Sequence, residues 1–165
     1  MAIDIGDRLP NSELMQWDGS SVAYRATEDL VGRGKVIIVG VVGAFTPICT
    51  ESHIRDYIRL LPDLRKAKLV DAAYCIAALD PFVLHAWANH VGAEDVIDVW
   101  SDPYAAFAKA IGITTQFERI GLGLRSGRYS LLAFDGVVQK INIEEDPTIV
   151  SVSGADILES QLKAA

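Results

Sequence analysis

An unbroken apolar run, Val36-Ile37-Ile38-Val39-Gly40-Val41-Val42, leads straight into Gly43-Ala44-Phe45-Thr46-Pro47-Ile48-Cys49. No polar residue interrupts the run, so neither of its faces can be turned to water. Such a stretch is a strand buried on both sides, as in the middle of an α/β sheet. A helical pattern follows, from about Ile48 through Leu61. Cys49 is therefore expected in the first turn of a helix, at the carboxyl end of a buried strand. Free backbone N–H groups and the positive end of the helix dipole converge at such a place. Both favour the anionic form of a thiol set there, which is its nucleophilic form. Thr46 can aim its hydroxyl at the same point in space. Pro47 suits an early helical position, where a missing N–H costs nothing.

The composition bounds the rest. The 165 residues fit one domain, long enough to bury a real core. A formal net charge of -7 argues against non-specific nucleic-acid binding, which needs a basic surface. No apolar run approaches the roughly 20 residues of a membrane span. Met1-Ala2-Ile3-Asp4-Ile5-Gly6-Asp7 has no basic region followed by an apolar core, so no signal peptide is expected. The two cysteines, Cys49 and Cys75, stand too far apart for a disulfide scaffold and fit a reducing compartment. A cytoplasmic location is the expectation.

Along the chain, Leu14–Trp17 and Ser21–Tyr24 flank Asp18-Gly19, a hairpin signal, and make an N-terminal extension. After Cys49, Ile54, Tyr57, Ile58, Leu61 and Leu64 recur at helical spacing and should face the sheet. Pro62 should kink this helix or start a second one. Ala72–Leu79 reads as a second buried strand. Asp80-Pro81 then gives an N-cap with proline at the first helical position, and that helix stops near Gly92. The grammar repeats with strand Val96–Trp100, cap Asp102, Pro103 and a helix through Phe107 to about Ala110. Strand, helix, strand, helix indicates parallel crossovers. Residues 113–127 read as irregular. Strands Arg128–Phe134 and Val137–Ile143 join through Asp135-Gly136 as an antiparallel hairpin. Ser153-Gly154-Ala155-Asp156 is similar to a capping box before a last helix. Periodicity alone gives an α/β domain with a central mixed sheet flanked by helices.

The segment Gly43–Cys49 resembles the peroxidatic motif of the peroxiredoxins, Pro-x-x-x-Thr/Ser-x-x-Cys. Its wording is most similar to the peroxiredoxin-five group, the hybrid glutaredoxin and plant type-II subfamily. Seven adjacent positions agree, in a strand–turn–helix context. The resemblance extends from Gly6-Asp7 through Asp80-Pro81-Phe82 and Ser101-Asp102-Pro103 to Arg128-Tyr129-Ser130 and Asp135-Gly136. It implies a thioredoxin-like fold. One departure stands at the head of the motif, where Val42 replaces the family's proline.

What the resemblance implies is a thiol peroxidase. A cysteine thiolate attacks a peroxide, leaving a sulfenic acid and an alcohol or water. Negative charge builds on the departing oxygen, so the site needs a hydrogen-bond donor for the peroxide and a fixed cation near both sulfur and leaving group. Cys49 is the expected nucleophile and Thr46 the hydroxyl, although a plain N-cap would also explain Thr46. Arg119, Arg125 and Arg128 are the candidate cations. Arg128 is chosen because Arg-Tyr-Ser is similar to the segment carrying the family's catalytic arginine, whereas Arg125 reads as solvated on a glycine-rich loop. His53 is expected to support the site beside its entrance, not to act as a base. Cys75 reads as an inert core thiol. With no cysteine in residues 149–153, a single-cysteine cycle follows, closed by an external thiol: glutathione with glutaredoxin, or thioredoxin. No metal, haem or flavin is implied. A homodimer is, with contacts at Phe45, Asp80–Phe82 and Phe117–Leu122. A slow redox sensor or partner-binding module is the alternative suggested by Val42. A thiol–disulfide oxidoreductase is disfavoured because no Cys-x-x-Cys occurs.

Overall fold

The computed structural model describes residues 1–164. The apolar run forms β3 (Lys35–Val41) near the middle of a seven-stranded sheet. In chain order the other elements are β1 (Glu13–Trp17), β2 (Val22–Ala26), α1 (Thr27–Val31), α2 (Ile54–Lys66), β4 (Ala72–Ala77), α3 (Pro81–Val91), β5 (Asp98–Ser101), α4 (Ala106–Ala110), β6 (Thr114–Phe117), β7 (Gly123–Ser126), β8 (Tyr129–Phe134), β9 (Val137–Ile143) and α5 (Ala155–Ala164). The sheet order is β2-β1-β5-β4-β3-β8-β9. β3, β4 and β5 run parallel, while β8, β9 and the β1–β2 hairpin are antiparallel additions. This is the thioredoxin-like arrangement, and the N-terminal hairpin is stitched to the edge of the same sheet at Met15↔Ser101.

The alternation along β3 explains why it carries no polar residue. Ile37, Val39 and Val41 point into one apolar cluster with Tyr57, Leu61, Trp87 and Leu158, from α2, α3 and α5. Val36 and Ile38 point into a second, with Trp100, Phe107 and Leu131. A fully buried side chain of this size contributes roughly 1.5–3 kcal/mol, so the strand is held from both faces. Gly40 is the one position in β3 where no side chain fits. A Cβ there would lie 2.0 Å from the Tyr129 ring. Tyr129 pairs with Gly40 across the β3–β8 ladder and fills the space itself.

The helix punctuation holds in part. Asp80 accepts from the N–H groups of Phe82 and Val83, and Gly92 ends α3 at φ 76°. Asp135 and Gly136 turn the last hairpin at φ 47° and 78°. Pro62 does not start a second helix, because α2 runs through it. It lies exposed on the outer face, where water can serve the carbonyl that its missing N–H leaves free. Ile58 is only partly buried beside Tyr57 and Leu61. Asp102 does cap a helix, but from a distance: it accepts from Phe107 and Ala108, and Pro103 lies outside α4. Residues 113–127 are not irregular, because β6 and β7 pair there as a separate two-stranded hairpin.

Candidate active site

Between β3 and α2 the chain makes one tight corner. Residues 47 and 48 are helical, Cys49–His53 form a π-helical turn, and α2 continues from Ile54. Cys49 thus sits in the first turn of the helical segment, as expected. It has no exposed surface and packs in the cluster under α2 and α3. π-Turns inside α-helices occur often at functional sites.

The corner is held by polar contacts on both sides. Thr46 does not act as a plain cap: its hydroxyl donates to the Gly43 carbonyl at 2.8 Å. Phe45 adopts φ 58°, a left-handed conformation that costs a non-glycine residue roughly 1–2 kcal/mol. Its ring stays 53% exposed at the rim. Arg125 reaches the same corner. Its Nε donates to the Leu122 carbonyl at 2.8 Å, and Nη1 lies 3.5 Å from the Val42 carbonyl. A Cβ on Gly43 would meet this Nη1 at 3.0 Å and the Thr46 methyl at 3.2 Å, so a side chain there would have to push one of them aside. The expectation that Arg125 is solvated is therefore corrected. Pairing of β6 with β7 turns it inward, and the carbonyls of Leu122 and Val42 replace water. Arg119 remains exposed in the turn of that hairpin.

Arg128 immediately precedes β8 and is 2% exposed. Its Nε donates to the Pro147 carbonyl and its Nη1 to His53 Nδ1, each at 3.0 Å. A guanidinium can only donate, so Nδ1 must be the unprotonated nitrogen of the imidazole. Nε2 then carries the hydrogen and donates to the Ser153 carbonyl at 3.2 Å. His53 is buried on the turn that begins at Cys49, not placed at an entrance. Burial, and then the Arg128 charge, push its pKa down to about 4, so the ring is neutral near pH 7. Every buried side-chain nitrogen or oxygen among the described residues has a partner. Nη2 of Arg128 has no hydrogen-bond partner among the described residues.

Glu144, which follows β9, gave no signal in the sequence. It is 6% exposed and accepts from Ser151, Val152 and Ser153. The Ser153 hydroxyl donates to it too, so Ser153 does not form the expected capping box. Burial alone would raise the Glu144 pKa. The hydrogen bonds from the Ser151 side chain, the Ser153 and Ser151 backbones and the Ser153 side chain outweigh that and bring it to about 2. Cys75 lies in the middle of β4, paired with Val39 and Val99 on its two sides. Burial first, and the nearby Cys49 second, raise its pKa and keep it a thiol.

A thioredoxin-like sheet with a lone thiol at the β3–α2 corner, a hydroxyl three residues before it and a buried guanidinium on the neighbouring strand defines a redox domain of the thiol type. The Redoxin family model matches residues 4–158. Peroxiredoxin-2E, chloroplastic, of Arabidopsis thaliana is 35% identical over 96% of this chain and 69% of its own. Reduced Prx3 of Vibrio vulnificus, solved in complex with hydrogen peroxide, is 37% identical with a TM-score of 0.89, over 98% of this chain and 96% of that one. Peroxiredoxin 5 from Alvinella pompejana is 26% identical, with a TM-score of 0.85 and 99% of each chain covered. The chain belongs to the peroxiredoxin family, and its likeness is to the type-II and peroxiredoxin-5 members. As a peroxiredoxin it is an enzyme of the thiol-dependent peroxidase class.

Proposed function

We propose that residues 1–165 act as one catalytic domain that reduces hydrogen peroxide and small organic hydroperoxides through a sulfenic acid at Cys49. The Cys49 thiolate attacks one peroxide oxygen; the O–O bond breaks and the alkoxide or hydroxide leaves. That anion takes a proton to become alcohol or water, and Cys49 is left as sulfenic acid. Thr46 spends its hydrogen on the Gly43 carbonyl, so its lone pairs accept the O–H of the hydroperoxide. Arg128 faces the charge on sulfur and on the leaving oxygen with Nη2, its fixed plane set by Pro147 and His53. The observation that supports the reading is that a buried thiol opens the helical turn Cys49–His53 while the buried Arg128 guanidinium is hydrogen-bonded to His53, the last residue of that same turn.

An external thiol, glutathione with glutaredoxin or thioredoxin, then condenses with the sulfenic acid, releasing water and forming a mixed disulfide. A second thiol frees Cys49. A homodimer is part of this reading. Phe45, Phe82, Val83, Tyr104 and Ile120 are exposed apolar side chains, and three of them fall in the segments named from sequence. A reducing cytoplasm is the proposed compartment.

The full burial of Cys49, together with Val42 in place of proline, favours a second reading, a slow redox sensor. Stopped-flow fluorescence of the three Trp residues with excess hydrogen peroxide separates the two. A second-order rate far above that of a free thiol supports the peroxidase. A rate like that of a free thiol supports the sensor.

A further inference from the structure

The residues around Arg128 close into a ring of hydrogen bonds. Arg128 Nη1 donates to His53 Nδ1, and His53 Nε2 donates to the Ser153 carbonyl. The Ser153 N–H and hydroxyl both donate to Glu144, each at 2.8 Å. The Glu144 N–H donates to the Arg128 carbonyl at 3.0 Å. Every link is buried. Arg128 and Glu144 directly flank β8 and β9 and His53 lies on the helical turn, whereas the segment from Pro147 to Ser153 belongs to no strand or helix, and it makes two of the contacts that set Arg128 and His53.

That segment is fastened at the far side by a single carboxylate. Glu144 accepts from Ser151 N–H at 2.7 Å, Ser151 hydroxyl at 2.6 Å, Val152 N–H at 2.9 Å and both groups of Ser153. A carboxylate taken from water is costly unless its lone pairs are filled, and charge-assisted bonds are about twice as strong as neutral ones. Five donors on one buried carboxylate therefore fix three consecutive residues of a loop. Tyr57 adds its hydroxyl to the Ser153 carbonyl at 2.7 Å, so that carbonyl holds two buried donors in one place.

We propose that Glu144 is a positioning residue for the site: it locks residues 151–153, and through the Ser153 carbonyl it fixes the His53 tautomer and hence the plane of the Arg128 guanidinium. The inference rests on the reading of Arg128 as the catalytic cation. Glu144 has no direct contact with Arg128 through its side chain. Its effect passes through Ser153 and His53. Without the carboxylate the loop loses its anchor, Ser153 turns, and His53 is free to move its hydrogen to Nδ1. In that tautomer Nδ1 can no longer accept from Arg128.

The experiment uses the full chain with two variants, Glu144→Ala and Glu144→Gln. The ¹⁵N signals of the His53 ring give the tautomer, and the rate of Cys49 with hydrogen peroxide gives the chemistry. Glu144→Ala should show a mixture of tautomers and a rate lower by about tenfold to a hundredfold, the loss expected when a reacting geometry slips by about 1 Å. Glu144→Gln keeps one carbonyl for the N–H groups and can donate its amide to the Ser151 hydroxyl. It should recover most of the Nε2–H tautomer and lose only several-fold in rate. A merely structural role would lower stability and leave the tautomer of the folded protein alone. Glu144→Ala folded with a wild-type rate, or with His53 still wholly Nε2–H, overturns the proposal. If Glu144→Ala does not fold, Glu144→Gln decides it: a wild-type rate with an unchanged tautomer overturns it. A wild type without peroxidase activity would instead defeat the reading of Cys49 and Arg128, and the tautomer would still report on the ring.

Discussion

Cys49 and Cys75 share one environment by every measure of packing. Both are wholly buried, both are free thiols, and both belong to the same apolar cluster. The two differ in backbone. Cys75 is hydrogen-bonded into β4 between two parallel neighbours, with no polar side chain needed to hold it. Cys49 sits where strand turns to helix, on a turn whose next residues carry Thr50 and His53, both buried and both hydrogen-bonded. Burial by itself makes a thiol inert. The corner at Cys49 places the thiol at the start of a helical turn whose buried side chains Thr50 and His53 are held by hydrogen bonds, and on the function proposed above this setting is what lets the same degree of burial serve chemistry.

The largest effect should come from removing the cation at the Cys49 end. Arg128→Ala is expected to slow peroxide reduction by about two to three orders of magnitude, the size found when a donor aimed at a developing anion is lost. Arg125→Ala should cost no more than about tenfold, because that guanidinium braces the Val42 carbonyl and the Gly43 corner. Both are read by stopped-flow kinetics. Equal losses, or a larger loss in Arg125→Ala, would move the catalytic role to the residue whose side chain touches the Cys49 loop.

The contrast between the two arginines also marks how far the sequence could be read. Local signals were enough for β3, the Asp80-Pro81 cap, the Asp135-Gly136 turn and the thiol at a strand–helix corner, since each is written in a few adjacent residues. The β6–β7 hairpin was not legible. Thr114-Thr115-Gln116 and Leu124-Arg125-Ser126 lack the alternation of a half-buried strand, and their pairing depends on where the hairpin lies in the fold. The inward turn of Arg125 was lost with it. Glu144 escaped for a different reason. Its partners stand seven to nine residues on, in an irregular segment, and no spacing rule joins a strand-end carboxylate to such a loop.

Acid should sharpen the comparison by loosening one thiol's setting before the other's. The folded-state pKa of His53 is depressed from 6.5 to about 4, so on acidification the unfolded chain takes up a proton first. Stability should therefore fall as pH drops from 6.5 towards 4, by at most about 1.4 kcal/mol per pH unit. Glu144 is depressed from 4.5 to about 2, and its contribution, full above 4.5, is lost as pH falls from there towards 2. Denaturant unfolding at a series of pH values should show both windows in the wild type, the lower one flattened in Glu144→Gln. The Cys75 strand carries no group titrating in either window. Amide exchange should accordingly quicken around residues 147–153 at a higher pH than in β4. Stability that is flat between pH 6.5 and 4 would contradict the buried neutral His53.

The smallest effect expected is from Cys75→Ser, and it bears most directly on the pairing of the two thiols. A sulfenic acid becomes a disulfide only when a second thiol reaches bonding distance and can ionise. The pKa of Cys75 is raised by burial, so its nucleophilic form is scarce. It is also fixed in the ladder between β3 and β5. Any movement of its backbone towards Cys49 would have to open a central strand, which costs much of the global stability. A small external thiol should arrive first. Equimolar peroxide should then give a sulfenic acid at Cys49 that a dimedone-type reagent traps, with no Cys49–Cys75 link in non-reducing peptide mass spectra. With an external thiol supplied, Cys75→Ser should turn over at the wild-type rate. An abundant intramolecular disulfide, or lost turnover in a folded Cys75→Ser, would make Cys75 the resolving residue. The two buried thiols would then be partners in one cycle, and the inertness argued here for the strand position would be wrong.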